Sequence, residues 1–342
     1  MYKMKFVIKC IMILITMAIL NFCFVGDIQS YTRIMMDELY EDDYITLLFL
    51  GTSHMYYSFD INKIEEKTNL NAFCAGSARQ QMIDSYYLLK EANENNGVKF
   101  VFLDVLYTIQ QSNKNEEVKT YFITDYMQDG RNKYIYLWDS IGINGFLNDI
   151  FPVMHRAYFS LETVKEHFTK AYRNNSYEYV TYKDEGYRGQ GFVWSDKTIS
   201  EGTTFKELAV LDKDELLSDF SLEYLYKIIE YCRENGIELI LIDPPIPDAT
   251  LIAAENFQAY IDEIRKIADE NELEYWEFNL IRKGVLSLEA MDFQDEIHLN
   301  GMGAEKFTDS FCRMFHGEIT NPFYDTFYEK LEYNRDNTSL SY

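Results

Sequence analysis

Five short runs of strand-forming residues, separated by helical patterns, limit what this chain can fold into. Tyr44–Leu50 reads YITLLFL, Val98–Val105 reads VKFVFLDV and Ile237–Ile242 reads IELILI. Asn71–Cys74 and Glu274–Phe278 are shorter runs of the same kind. Apolar residues without alternation suit parallel strands covered on both faces. Helical spacing fills Arg79–Asn95, Leu222–Asn235, Ala254–Asn271 and Met302–Phe315, and Gly236 stands where a C-terminal cap belongs. Strand and helix in alternation predict an α/β chain, a three-layer α/β/α sandwich around a five-stranded parallel sheet. In such sheets, sites form at the carboxyl ends of the strands.

Residues 107–220 break this rhythm. They hold the aromatic run Tyr134–Trp138 and a glycine-rich GYRGQGF at 186–192. The stretch reads as a partly helical insertion between the third and fourth strands. It is either a lid or substrate wall, or a structural appendage. The tail after Phe315 is polar and Tyr-rich and reads as loosely ordered.

Phe6–Val25 is an apolar run interrupted by Lys9, Thr16 and Asn21. It is long enough to span the ~30 Å of a bilayer's hydrocarbon core. Lys3, Lys5 and Lys9 lie before or within its start, whereas Asp27, Asp37, Glu38, Glu41, Asp42 and Asp43 follow it. The positive-inside rule makes residues 1–26 a transmembrane anchor and puts 27–342 outside the cytoplasm. A cleaved signal peptide competes, but Asn21-Phe22-Cys23-Phe24-Val25-Gly26 offers no small-x-small site. The formal net charge of −24 argues against nucleic acid as a partner. The five cysteines form no CxxC, so neither a zinc knuckle nor a disulfide scaffold is expected. Nothing calls for a cofactor or metal. The 28 tyrosines read as a Tyr-rich surface, with sugar stacking as the functional alternative.

Two short motifs carry chemistry. Gly51-Thr52-Ser53-His54 follows the first strand, where a turn into a helix presents a serine hydroxyl at the sheet rim. Asp295-Glu296-Ile297-His298 follows the last strand, where an aspartate three residues before a histidine can fix its tautomer. Each alone recurs by chance. Together, at opposite ends of one α/β chain, they are specific. Gly76 follows the second strand, where a backbone N–H can approach an oxyanion beside that of Ser53.

This order of motifs resembles the SGNH (GDSL-like) hydrolase superfamily over 44–106 and 221–316. Asp292–Ala304, which matches DFxDxxHLNxxGA, is similar to membrane-anchored members of bacterial cell-envelope acylation systems. Those include D-alanyl-transfer proteins of teichoic acid and polysaccharide O-acetylation proteins. The resemblance implies a flavodoxin-like strand order, with Ser53 as nucleophile, His298 as general base and Asp295 as its orienter. It implies an oxyanion hole from the Ser53 and Gly76 N–H groups, with His54, Ser77 and Asn71 as candidate substrate contacts. It also implies a cell-surface glycan or polymer as substrate and a membrane-bound O-acyltransferase as partner. One departure stands out. Many members carry Gly-x-Asn-Asp after the third strand, whose Asn completes the oxyanion hole, whereas this chain reads Leu103-Asp104-Val105-Leu106-Tyr107. An esterase with the same triad and a non-catalytic scaffold are the alternative functions.

Overall fold

The structure is a computed structural model. It describes residues 2–24, 30–42, 44–106, 117–156, 164–165, 181–182, 184–200, 202–206 and 216–338. The five apolar runs become Leu47–Gly51 (β1), Ala72–Gly76 (β2), Phe100–Asp104 (β3), Glu238–Asp243 (β7) and Glu274–Glu277 (β8). A second, antiparallel sheet intervenes in the chain, from Thr181–Tyr182 (β4), Glu185–Gly189 (β5) and Phe192–Ser195 (β6). The main sheet is parallel throughout, in the order β2-β1-β3-β7-β8. Strand order reverses direction between β1 and β3, which opens a crevice at their carboxyl ends. Gly51 pairs with Gly76, Asp104 with Ile242 and Asp243 with Glu277, so these strand ends share one rim of the sheet.

Among the described residues the helices are Tyr2–Phe24 (α1), Tyr31–Glu41 (α2), Ser53–Ser58 (α3), Ile61–Thr68 (α4) and Met82–Asn96 (α5). Glu117–Thr124 (α6), Arg131–Ser140 (α7), Ile143–Ile150 (α8) and Val153–Arg156 (α9) follow. The last five are Asp219–Asn235 (α10), Asp248–Ala253 (α11), Phe257–Glu270 (α12), Gly301–Phe315 (α13) and Phe327–Thr338 (α14). Helices cover both faces of the sheet. α5 packs against α10 in one layer, and α13 packs against α3 and α4 in the other.

The layer under α13 is held by aromatic packing. Phe49 and Phe102 stack across β1 and β3 with ring centroids 4.8 Å apart. The Phe311 ring stands edge-on to Phe49, Phe59 and Phe102 at 5.5, 5.2 and 5.0 Å. Edge-to-face aromatic pairs add stability beyond the area they bury.

The structure departs from the sequence reading in three places. The helix read from Ala254 begins at Phe257, because Ala254 is extended and α11 precedes it as a separate turn. The tail is not loose as far as it is described. α14 docks with Phe327 edge-on to Phe257 at 5.1 Å, and buried Lys330 gives its ammonium to Asp248 at 2.5 Å and to the Asn279 carbonyl at 2.7 Å. The glycine-rich 186–192, read as part of an insertion without strand rhythm, is a β-hairpin. Its turn has Gly191 at φ +87°, where a Cβ would lie 1.8 Å from the Cys74 carbonyl oxygen. That close approach lets Gln190 O accept the Cys74 N–H at 2.9 Å and blunts the β2 edge.

Phe311→Ala should remove the ring shared by β1, β3 and α13 and cost about 3–5 kcal/mol. Urea denaturation of the full chain in detergent measures it.

Candidate active site

The nucleophile turn is built from β1 outward. Gly51 has φ +154°, and a Cβ there would sit 2.4 Å from the Asp104 Cβ and 2.7 Å from the Met55 Cγ. Only glycine fits. Thr52 then donates its N–H and its hydroxyl to Asp104 Oδ2, at 3.2 and 3.0 Å. Its Oγ1 accepts the His54 N–H at 3.4 Å and caps α3. Ser53 is therefore the first residue of a capped helix at the carboxyl end of β1.

The opposite half comes from the loop before α13. A bridge between Phe293 and Leu299 closes this loop, and the Gln294 N–H reaches the His298 carbonyl at 3.0 Å. Asp295 Oδ1 accepts the N–H groups of Ile297 and His298, at 2.9 and 2.8 Å. Asp292 lies outside the chemistry. Buried, it pairs with Lys306 at 2.7 Å and accepts the Glu289 N–H at 2.9 Å. Asn300 caps α13 by accepting the Gly303 N–H at 3.0 Å, and its amide donates to the Lys197 and Met291 carbonyls.

The two halves meet. Ser53 Oγ lies 2.7 Å from His298 Nε2. His298 Nδ1 lies 2.9 and 3.1 Å from the two Asp295 oxygens. Asp295 thus holds the ring proton on Nδ1 and leaves Nε2 to accept from the serine hydroxyl. Burial pushes the Asp295 pKa up, but the hydrogen bond and charge of His298, with the two backbone N–H groups, outweigh it and hold the carboxyl below its usual range. The Tyr57 and His54 rings stand edge-on to His298, at 5.2 and 5.1 Å.

The remaining candidates separate. Gly76 lies level with Gly51 and close to the Cys74 thiol, whose sulfur would stand 3.3 Å from a Cβ built on the glycine. Ser77 donates its N–H to the Gly51 carbonyl at 3.2 Å, and its buried hydroxyl has no hydrogen-bond partner among the described residues. His54 is 2% exposed, so it backs the His298 ring and does not face solvent. Asn71 is not brought to the site. It precedes β2 at the amino end of the strand and bonds the Tyr44 carbonyl, while the serine stands at the carboxyl ends.

Three features escaped the sequence reading. Asp104 ties the nucleophile turn to β3. The Tyr56 side chain lies beside that of Ser53 on α3. Glu185 of the hairpin accepts from Tyr31 at 3.0 Å, Tyr57 at 3.3 Å and Lys197 at 2.6 Å, so the inserted sheet forms a wall against α3. The spacing Ser53-His54-Met55-Tyr56, which puts Ser53 and Tyr56 one helical turn apart, was the available signal for the second of these. A separate apolar cavity of about 240 Å³ lies behind the Asp295 loop, lined by Pro245, Ile246, Leu286 and Phe293 among others, and includes no triad side chain.

No family model matches the chain, and no curated protein matches it in sequence. Among solved structures it is similar to a GDSL-like lipase from Bacteroides thetaiotaomicron, at TM-score 0.39 and 10% identity, over 85% of this chain and 98% of that one. It is also similar to a lipase/acylhydrolase from Enterococcus faecalis, at TM-score 0.33 and 12% identity, over 81% and 98%. Likeness at this level carries no argument about activity, and the site stands on its own geometry.

Burial, then the His298 charge, lowers the His54 pKa well below the usual 6.5, against a smaller opposing effect of Asp295. The unfolded chain protonates this residue below about pH 6.5 while the folded chain keeps it neutral. Stability contributed in this way is complete above about pH 6.5 and declines as the pH falls, at up to about 1.4 kcal/mol per pH unit. Denaturant titrations between about pH 5 and 7 should show that slope in the wild type and a shallower one in His54→Gln.

Proposed function

We propose that this chain is a serine-dependent acyl-transfer enzyme of the SGNH type, held at the membrane by α1, that modifies a cell-surface glycan or polymer. The observation that carries this reading is the 2.7 Å contact of Ser53 Oγ with His298 Nε2, backed by Asp295 on Nδ1. A serine hydroxyl is a weak nucleophile until a base takes its proton. His298 takes it as Oγ attacks the acyl carbonyl, and Asp295 stabilises the resulting imidazolium. The imidazolium then protonates the departing donor group, leaving an ester on Ser53. In the second half, a sugar or polyol hydroxyl gives its proton to His298 and attacks that ester, which frees Ser53. Water in place of the hydroxyl gives hydrolysis by the same steps.

The developing oxyanion needs donors. The Ser53 N–H at the start of α3 is one. The Gly76 N–H, at the carboxyl end of β2 level with Gly51, is the second. The family's Gly-x-Asn-Asp is absent after β3, and the Asp104 carboxylate there accepts from Thr52. We assign the third donor to the Tyr56 hydroxyl, one helical turn from Ser53 on α3. An acyltransferase in the membrane is the partner that this chemistry suits, since it would supply the acyl donor across the bilayer. The apolar span Lys3–Cys23 supports the anchor.

A fluorophosphonate probe should label the full chain at Ser53 and leave Ser53→Ala unlabelled. p-Nitrophenyl acetate turnover should fall about 1000-fold or more in the same variant. Tyr56→Phe should lower kcat about 100-fold with KM little changed. Unlabelled, folded wild-type protein would overturn the enzymatic reading. A glycan acceptor that raises turnover of the acyl donor marks transfer over hydrolysis.

A further inference from the structure

The stretch after β3 carries an apolar face that no described residue covers. Ile143, Leu147 and Ile150 recur at helical spacing on α8 and are 64%, 45% and 62% exposed. Met154 on α9 extends the face, and α7 adds Tyr134 and Trp138 one turn apart, both exposed. Phe146 joins the helices, with its ring 6.0 Å from Tyr134 and 6.2 Å from Trp138. α8 exposes no charge: its one ionic residue, Asp149, turns inward to the buried ammonium of Lys133 at 2.7 Å, which also bonds Asp129 at 3.0 Å. Exposed Arg131 lies one turn before Tyr134 on α7. Contiguous exposed apolar patches mark interaction surfaces.

The fold fixes what covers it. α9 packs on α1. Near the C-terminal end of α1, Asn21 accepts the Val153 N–H at 3.0 Å and donates to the Ile150 carbonyl at 3.5 Å. The patch therefore begins where the apolar span Lys3–Cys23 ends. Trp and Tyr beside aliphatic residues at that level match the composition of membrane interfaces. An amphipathic face held there lies in the interface plane, with the Arg131 guanidinium at headgroup level.

We propose that α7–α9 form a second membrane contact, in which Trp138, Ile143, Leu147 and Ile150 enter the outer leaflet of the bilayer beside α1. The inference rests on reading α1 as a membrane span. It makes the anchor a two-point attachment, which fixes the orientation of the domain over the lipid, where a single helix would let it swivel.

The test uses the full chain reconstituted into phosphatidylcholine vesicles with brominated acyl chains. Brominated lipid should reduce the Trp138 emission about twofold, as interfacial depth implies, and Trp138→Phe should lose that quenched component. The chain has two other tryptophans, Trp194 and Trp276, so the difference between wild type and variant isolates Trp138. A second variant, Leu147→Glu with Ile150→Glu, should stay with floated vesicles yet leave Trp138 unquenched. If wild type floats with alkaline-washed vesicles but Trp138 is unquenched, the surface contact is overturned and the anchor stands. If wild type does not float, the anchor reading falls and the surface contact with it. Protection of Trp138 from aqueous iodide only when another membrane protein is present would assign the face to protein and overturn the proposal.

Discussion

The carboxylate of Asp104 is the point on which the site depends. Its two oxygens take the Thr52 N–H, the Thr52 hydroxyl and the Leu106 N–H, inside a fully buried position. A buried carboxylate survives only where donors replace its lost water. Here the donors are the nucleophile turn itself. The same packing excludes any side chain at Gly51, so the exit of β3 dictates the shape of the turn after β1. The one charged group at the exit of β3 is thus spent on holding the turn that carries Ser53.

Phenols satisfying buried or half-buried carboxylates recur through the molecule. Tyr87 and Tyr224 donate to Asp139, Tyr40 to Glu91, Tyr187 to Glu38, and Tyr136 to Asp84. At the carboxyl ends of β7 and β8, the Tyr275 hydroxyl lies 2.6 Å from both Asp243 and Glu277. A phenol has one proton, so two such contacts require that a carboxyl supply the other. Asp243 fits, because burial, then the Glu277 and Asp104 charges, push its pKa well up. An acidic chain with few bases has little choice. Of its 342 residues 56 are acids against 32 Lys and Arg, so neutral donors must do what ammonium groups do elsewhere.

The sheet was legible because its strands are apolar on both faces, and a period-free run has one comfortable place in an α/β chain. Ser53, His298 and Asp295 were legible through their order at the ends of the first and last strands. What stayed hidden depends on contacts remote in sequence. The 28 tyrosines read as a wet surface, yet Tyr87, Tyr136, Tyr187 and Tyr260 are buried, since their hydroxyls find carboxylates that no local pattern reveals. His54 read as a candidate substrate contact because nothing in the sequence announces that it is buried behind the His298 ring. Lys330 hid the docking of α14, for a lysine reads as surface until its partners Asp248 and the Asn279 carbonyl are seen. Asn71 was adjacent to Gly76 in sequence only. At about 3.3 Å per residue, the five residues of β2 carry it roughly 16 Å from the rim where the serine sits.

The insertion ties these pieces into one functional geometry. Its hairpin lies against α3 and gives Glu185 to Tyr57 and Tyr31, and the Tyr187 hydroxyl and Gln190 N–H reach Glu38 on α2. Its helices meet the end of α1 through Asn21. The connection from α1 to the Ser53 turn therefore runs through packed elements as well as along the chain, so the hairpin and the helices of one insertion couple the position of α1 to that of the serine.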